Sequence, residues 1–147
     1  QKGVMTEEGF LSSLEGLFAR PRGASVLVVD DNEANRRVVR ALIASAGYQI
    51  VEAEGAEAGL ALARRELPDA ILMDLRMPDV DGLEATRRLR EGEATRDIPV
   101  IAVSAQAMVG DRERALAAGC VAYVTKPVSR RELLDALDRA LGAPPTA

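Results

Sequence analysis

Three residue types in this chain could do chemistry together if the fold brought them to one place: the carboxylates Asp30, Asp31 and Asp74, the hydroxyl of Ser104 and the amine of Lys126. Three gathered carboxylates repel one another unless a hard cation offsets their charge, and all-oxygen ligation with positions left for water suits Mg²⁺. A carboxylate so neutralised can attack phosphorus and hold the phosphoryl group as a mixed anhydride. Asp74 closes the run DAILMD and precedes Leu75-Arg76-Met77-Pro78 and the turn-prone Asp79-Val80-Asp81-Gly82, which puts it at a strand end. Lys126 stands directly before Pro127, and apart from Lys2 it is the one lysine among 19 basic residues. A lysine so placed can pair with Asp74 at rest and with a phosphate oxygen afterwards, to which Ser104 can also donate. Plainer roles stand beside these. Asp30-Asp31 could cap a helix before Glu33, Asp74 could simply end a strand, Ser104 could cap a helix, and Lys126 could be a surface lysine.

Composition narrows the chemistry. The 147 residues contain no histidine, which removes serine–histidine, cysteine–histidine and histidine general-base mechanisms, and the single cysteine, Cys120, offers neither an internal disulfide nor a Cys/His zinc site. A formal charge of −4 supplies no basic field for a phosphate backbone, so direct nucleic-acid binding is not expected. No apolar run approaches a membrane span and no signal core follows a basic start, so the expectation is a soluble cytoplasmic protein.

The elements that must position these groups follow from the apolar rhythm. Residues 1–24 stand apart, with Phe10, Leu11, Leu14, Leu17 and Phe18 on one face of an expected amphipathic helix, stopped by Pro21 and followed by a short linker. That stripe calls for burial against this domain or against a second copy of the chain, so the N-terminal helix is one candidate route to a homodimer. Compact strand-like runs then appear at Val26–Val29, Ile50–Ala53, Ala70–Met73, Ile98–Val103 and Cys120–Val124. Helical segments alternate with them at Glu33–Ala46, Ala56–Glu66, Leu83–Glu91, Ala107–Ala118 and Arg130–Leu141, and residues 142–147 read as a flexible tail. Repeated strand–helix units imply a parallel sheet covered on both faces, whose sites lie at the carboxyl ends of the strands. Asp30-Asp31, Asp74, Ser104 and Lys126 each follow or close one of those runs, so they converge on one edge.

The stretches VLVVDDNEANRR, ILMDLRMPDVDG, VIAVSAQA and AYVTKP, in this order, resemble the response-regulator receiver domain over about residues 25–141. Their wording is nearest to receivers attached to hybrid sensor histidine kinases. The resemblance implies an α/β flavodoxin-like fold with a five-stranded parallel sheet in the order 2-1-3-4-5. It implies that Asp74 accepts a phosphoryl group from a histidine kinase or histidine phosphotransferase, and that the domain is a signalling module catalysing only its own phosphorylation and dephosphorylation. It also implies that Asp31 binds Mg²⁺ directly, Asp30 mainly through water, and the Arg76 carbonyl completes the protein ligands. Ser104 and Lys126 would contact the phosphoryl group, and Tyr123 would change rotamer with phosphorylation. Arg76 and Gln106 would set the phosphate's lifetime, and Lys126-Pro127 would be a cis peptide. Partners would dock over the active-site edge and first helix, and output, homodimer formation included, would use the face of the fourth helix and fifth strand. Serine at position 104, where the family more often has threonine, keeps the hydrogen bond but removes a methyl group from the switch.

Other frames fit less well. A haloacid-dehalogenase-like hydrolase needs an Asp-x-Asp after its first strand, which Asp31-Asn32-Glu33 does not supply, and a dinucleotide site needs a GxGxxG that is missing there. The remaining alternative is a module of receiver fold that docks without being phosphorylated.

Overall fold

The computed structural model describes residues 23–105 and 109–141. The expected N-terminal helix, Gln106 and the C-terminal tail lie outside them. β1 (Ser25–Val29), β2 (Gln49–Ala53), β3 (Ala70–Asp74), β4 (Val100–Ser104) and β5 (Ala122–Thr125) form one sheet in the order β2-β1-β3-β4-β5. Every neighbouring pair is parallel. Parallel pairing requires crossover helices, and the chain supplies α1 (Glu33–Ala44), α2 (Ala56–Glu66), α3 (Gly82–Glu91), α4 (Asp111–Ala118) and α5 (Arg130–Ala140).

These helices cover both faces of the sheet. Val26 and Val28 of β1 pack with Val39, Ile43, Leu133 and Leu137 on the α1/α5 side. Leu27 and Val29 pack with Leu60, Ala63, Ala85, Leu89 and Ala115 on the α2/α3/α4 side. Because successive strand residues point to opposite faces, a strand buried on both must be apolar throughout, and AILMD of β3 is buried at all its positions. Each large side chain so buried contributes about 1.5–3 kcal/mol.

Several boundaries differ from the sequence-based expectation. β4 begins at Val100 rather than Ile98, since Pro99 between them has no amide to pair, and β5 begins at Ala122 rather than Cys120. The fourth helix runs from Asp111, behind Gly110 at φ +89°, a left-handed turn that helix cannot run through, and the expected start at Ala107 lies outside the described residues. α1 closes at Ala44, two residues early, and α5 at Ala140. α3 begins at Gly82, where an added Cβ would lie 2.4 Å from the Asp74 carbonyl oxygen. The chain can therefore turn back this closely against the end of β3 only with glycine there. Among the described residues no helix is long and apolar enough to cross a membrane.

Candidate functional site

β1 and β3 run side by side with Val29 opposite Met73, so the next residues, Asp30 and Asp74, emerge level at the sheet's carboxyl edge. Ser104 closes β4, and Lys126 follows the last residue of β5, with its amide donating to the Ser104 carbonyl at 2.8 Å. The Lys126-Pro127 peptide is cis, as expected.

Carboxylate oxygens of Asp30, Asp31 and Asp74 lie within 4.8 Å of one another, a group that could hold a metal ion. Asp30 and Asp74 are each only 5% exposed, while Asp31 is open to solvent. Lys126 Nζ donates to Asp30 Oδ2 at 3.1 Å and lies 3.6 Å from Asp74 Oδ2. The sequence-based expectation paired Lys126 with Asp74; in the folded domain it bridges both carboxylates and sits nearer Asp30. Burial pushes the Asp74 carboxyl up to about 6, and the Asp30 charge works in the same direction. The Arg76 amide, donating to Asp74 Oδ1 at 3.2 Å, and the Lys126 charge oppose the rise without cancelling it.

The plainer role of the acidic pair does not hold. The N-cap of α1 is Asn32, whose side chain accepts from the Asn35 amide, so Asp31 is free of capping duty and points to solvent; Asp30 Oδ1 accepts from the Asn32 amide. Ser104 is only 1% exposed at the end of β4, and the residues that an N-cap there would serve lie partly outside the described ones. Arg76 is exposed and lines a cleft of about 480 Å³ together with Met77, Ser104, Asp111 and Arg114. Tyr123 pairs with Ala102 on β4, two residues before Ser104, and is half-buried beside a groove of about 710 Å³ between α4 and α5. On α1, Val39 and Ile43 face the core while Ala34 and Val38 face outward and Asn35 is half-exposed.

One contributor is not legible in the sequence. Arg36, 8% exposed, donates from Nη1 to the Asp30 carbonyl at 2.7 Å and from Nε to Glu52 Oε1 at 3.0 Å. It therefore ties the turn carrying the acidic pair to β2. In a chain this rich in arginine nothing marks Arg36 until α1 is phased against the sheet.

A protein-family comparison matches residues 26–138 to the response regulator receiver domain. The chain belongs to this family. The polar-differentiation response regulator DivK of Brucella ovis is 45% identical over 118 residues, covering 80% of this chain and 96% of the relative, and that of Brucella anthropi is 44% identical over the same span. Among solved structures, the receiver domain of a Pseudomonas aeruginosa sensor histidine kinase, which holds a magnesium ion in its active-site cleft, is 42% identical with a TM-score of 0.76. That match covers 82% of this chain and 98% of the other. A Vibrio cholerae chemotaxis protein is 28% identical with a TM-score of 0.75, over 80% of this chain and 98% of its own. The receiver is thus a signalling domain of two-component systems, with the flavodoxin-like fold and strand order expected. Free-standing regulators and a sensor-kinase receiver resemble it about equally.

Proposed function

We propose that this receiver accepts a phosphoryl group on Asp74 from a phosphohistidine on a histidine kinase or histidine phosphotransferase, within a cytoplasmic phosphorelay. The observation that carries this reading is the convergence of three carboxylates with Lys126 and a buried Ser104 at the sheet edge. The residues fit Mg²⁺: three carboxylates within 4.8 Å have one nearby ammonium, which leaves an anionic, all-oxygen site suited to a hard divalent cation. Asp31 and Asp74 would hold it directly, Asp30 through water, and the Arg76 carbonyl would complete the protein ligands. When bound, Mg²⁺ supplies charge that offsets the phosphoryl oxygens. The magnesium in the Pseudomonas receiver supports the same assignment.

The chain's own residues then account for transfer. An Asp74 oxygen forms the new bond to phosphorus as the bond from phosphorus to the donor's imidazole nitrogen breaks, and the released imidazole takes a proton from water. Lys126 meets one phosphoryl oxygen and Ser104 donates to another, so the negative charge moves onto groups already in place. Drawing Ser104 inward vacates space that Tyr123 can occupy on the adjacent strand, and this biases the surface of α4 and β5 between two states. Water later attacks phosphorus in line and restores Asp74, at a rate tuned by Arg76 and Gln106. The pattern DDNEANRR resembles receivers of hybrid sensor kinases, while DivK regulators and a sensor-kinase receiver are about equally similar to the chain, so the donor is read as a histidine kinase or phosphotransferase of either arrangement.

Incubation with acetyl phosphate and Mg²⁺ followed by intact mass tests the reading. The wild type should gain one phosphoryl group and Asp74→Asn none. Absence of label in the wild type would leave a docking module that signals without phosphorylation.

A further inference from the structure

Helix α2 starts without a local side-chain cap. Its N-cap residue is Gly55, in extended backbone at φ −169°, and no side chain there meets the first helical amides. Amides at a helix start lack intrahelical partners and favour a carboxylate. Here the carboxylate comes from a distant loop: Asp79 Oδ1 accepts from the Ala56 amide at 3.2 Å and Oδ2 from the Glu57 amide at 3.0 Å. These bonds, the one from Glu57 foremost, hold the Asp79 carboxyl below the usual carboxylate range. The missing side chain makes the room, since a Cβ on Gly55 would lie 3.0 Å from Asp79 Oδ2. A second link joins the same helices, with Arg88 of α3 at 3.2 Å from Glu57 of α2.

The loop held in this way is the one that leaves the phosphoacceptor. At its start the Arg76 amide donates to Asp74 Oδ1, and at its end Asp81 caps α3 by accepting from the Leu83 amide at 2.6 Å. Asp79 pins the stretch between them. Met77 and Val80 of this stretch also rest against the core, and Asp79 adds directional bonds to a neighbouring helix; each such restraint narrows the backbone conformations open to the loop, on which precise placement of a main-chain ligand depends.

We propose that Asp79 is a positioning residue for the phosphorylation site, capping α2 from the β3–α3 loop and thereby fixing the Arg76 main chain beside Asp74. The proposal rests on the reading of Arg76 as a main-chain metal ligand, and it predicts an effect that a mere helix cap would not have.

The test uses the full chain as wild type, Asp79→Ala, and Asp79→Ala combined with Gly55→Asp. The double variant rebuilds a local cap on α2, because the backbone at residue 55 is extended and the carboxylate that crowded it is gone. It does not reconnect the loop. Four readouts are compared: melting temperature, amide exchange of residues 75–81 without metal, Mg²⁺ affinity by calorimetry, and acetyl phosphate labelling by mass. Asp79→Ala should lower the melting temperature, speed exchange at the Arg76 amide about tenfold, weaken Mg²⁺ binding several-fold and slow labelling. The double variant should recover the melting temperature and nothing else. Recovery of loop exchange and Mg²⁺ affinity along with it, or their insensitivity to Asp79→Ala, would reduce Asp79 to a helix cap and overturn the proposal. Failure of the underlying reading looks different, because the wild type itself would then neither bind Mg²⁺ nor take label. The exchange comparison would in that event decide the tether alone.

Discussion

Replacing Asp74 by asparagine should make the metal-free domain more stable, with a pH dependence that identifies the cause. Burial raises the Asp74 carboxyl from 3.8 to about 6, so the folded state keeps a proton there that the unfolded chain has already released. At about 1.4 kcal/mol per pH unit, ionising Asp74 in the fold costs about 3 kcal/mol. The sign follows from the raised value: the contribution of neutral Asp74 to stability is fully present below 3.8 and is lost as pH rises through about 6. Asparagine is neutral at every pH and avoids the cost, but its amide reproduces neither the hydrogen-bonding pattern of a carboxyl nor the 3.6 Å contact with Lys126. The expected gain at neutral pH is therefore about 1–2 kcal/mol, or roughly 5 °C in Tm for a domain of this size. Urea unfolding of both proteins in chelator, from pH 4 to pH 8, measures it. The difference should be smallest at pH 4, grow through pH 6 and level off above. Added Mg²⁺ should then shrink it, because a ligand that binds only the folded wild type stabilises that protein selectively. A difference that does not change with pH, or that shrinks as pH rises, would show that ionised Asp74 is not a source of strain.

Asp31→Ala should weaken Mg²⁺ binding about tenfold or more in calorimetry, since it removes both a ligand and part of the field that attracts the ion. Glutamate at Asn35 or Val38, on the outward face of α1, should slow phosphotransfer from a histidine donor about tenfold and leave acetyl phosphate labelling intact. Ser104→Ala should still accept phosphate but lose most of a coupling of about 1–3 kcal/mol to the α4–β5 face, which spectra recorded before and after phosphorylation would register. Arg76→Ala should speed loss of phosphate, read by intact mass over time, if the guanidinium at the mouth of the cleft shields phosphorus from water. Slower loss would make Arg76 a promoter of hydrolysis.

Much of this was legible because parallel strands buried on both faces announce themselves as short apolar runs, and the residue after each run falls at the sheet edge. Asp30, Asp74 and Ser104 follow from that rule, and Lys126, one residue further on, stands out as one of only two lysines. What the rule could not supply was distance in the third dimension. Nothing local indicates that Arg36 reaches the Asp30 carbonyl or that Asp79 caps a helix 22 residues before it in the chain. The break before α4 is hidden for a different reason. Apolar periodicity runs through Ala107 and Val109 without a break, and it was the left-handed Gly110 that set the boundary.

The position of Lys126 bears on how the two buried carboxylates share one cation. Had the lysine paired tightly with Asp74, it would have lowered the carboxyl's affinity for a proton but also blunted the nucleophile with a direct ion pair. It instead takes the shorter contact with Asp30, 3.1 Å against 3.6 Å, and Asp74, the proposed phosphoacceptor, is left with burial as its dominant influence. Asp30 is in turn restrained by the Asn32 amide on its carboxylate and by Arg36 on its carbonyl, so the lysine leans on a fixed partner. On the proposed reading, the same ammonium would meet a phosphoryl group on Asp74 at the expense of its contact with Asp30. Asp30 and Asp74 are thus coupled through one cation, and a change at either should be felt at the other.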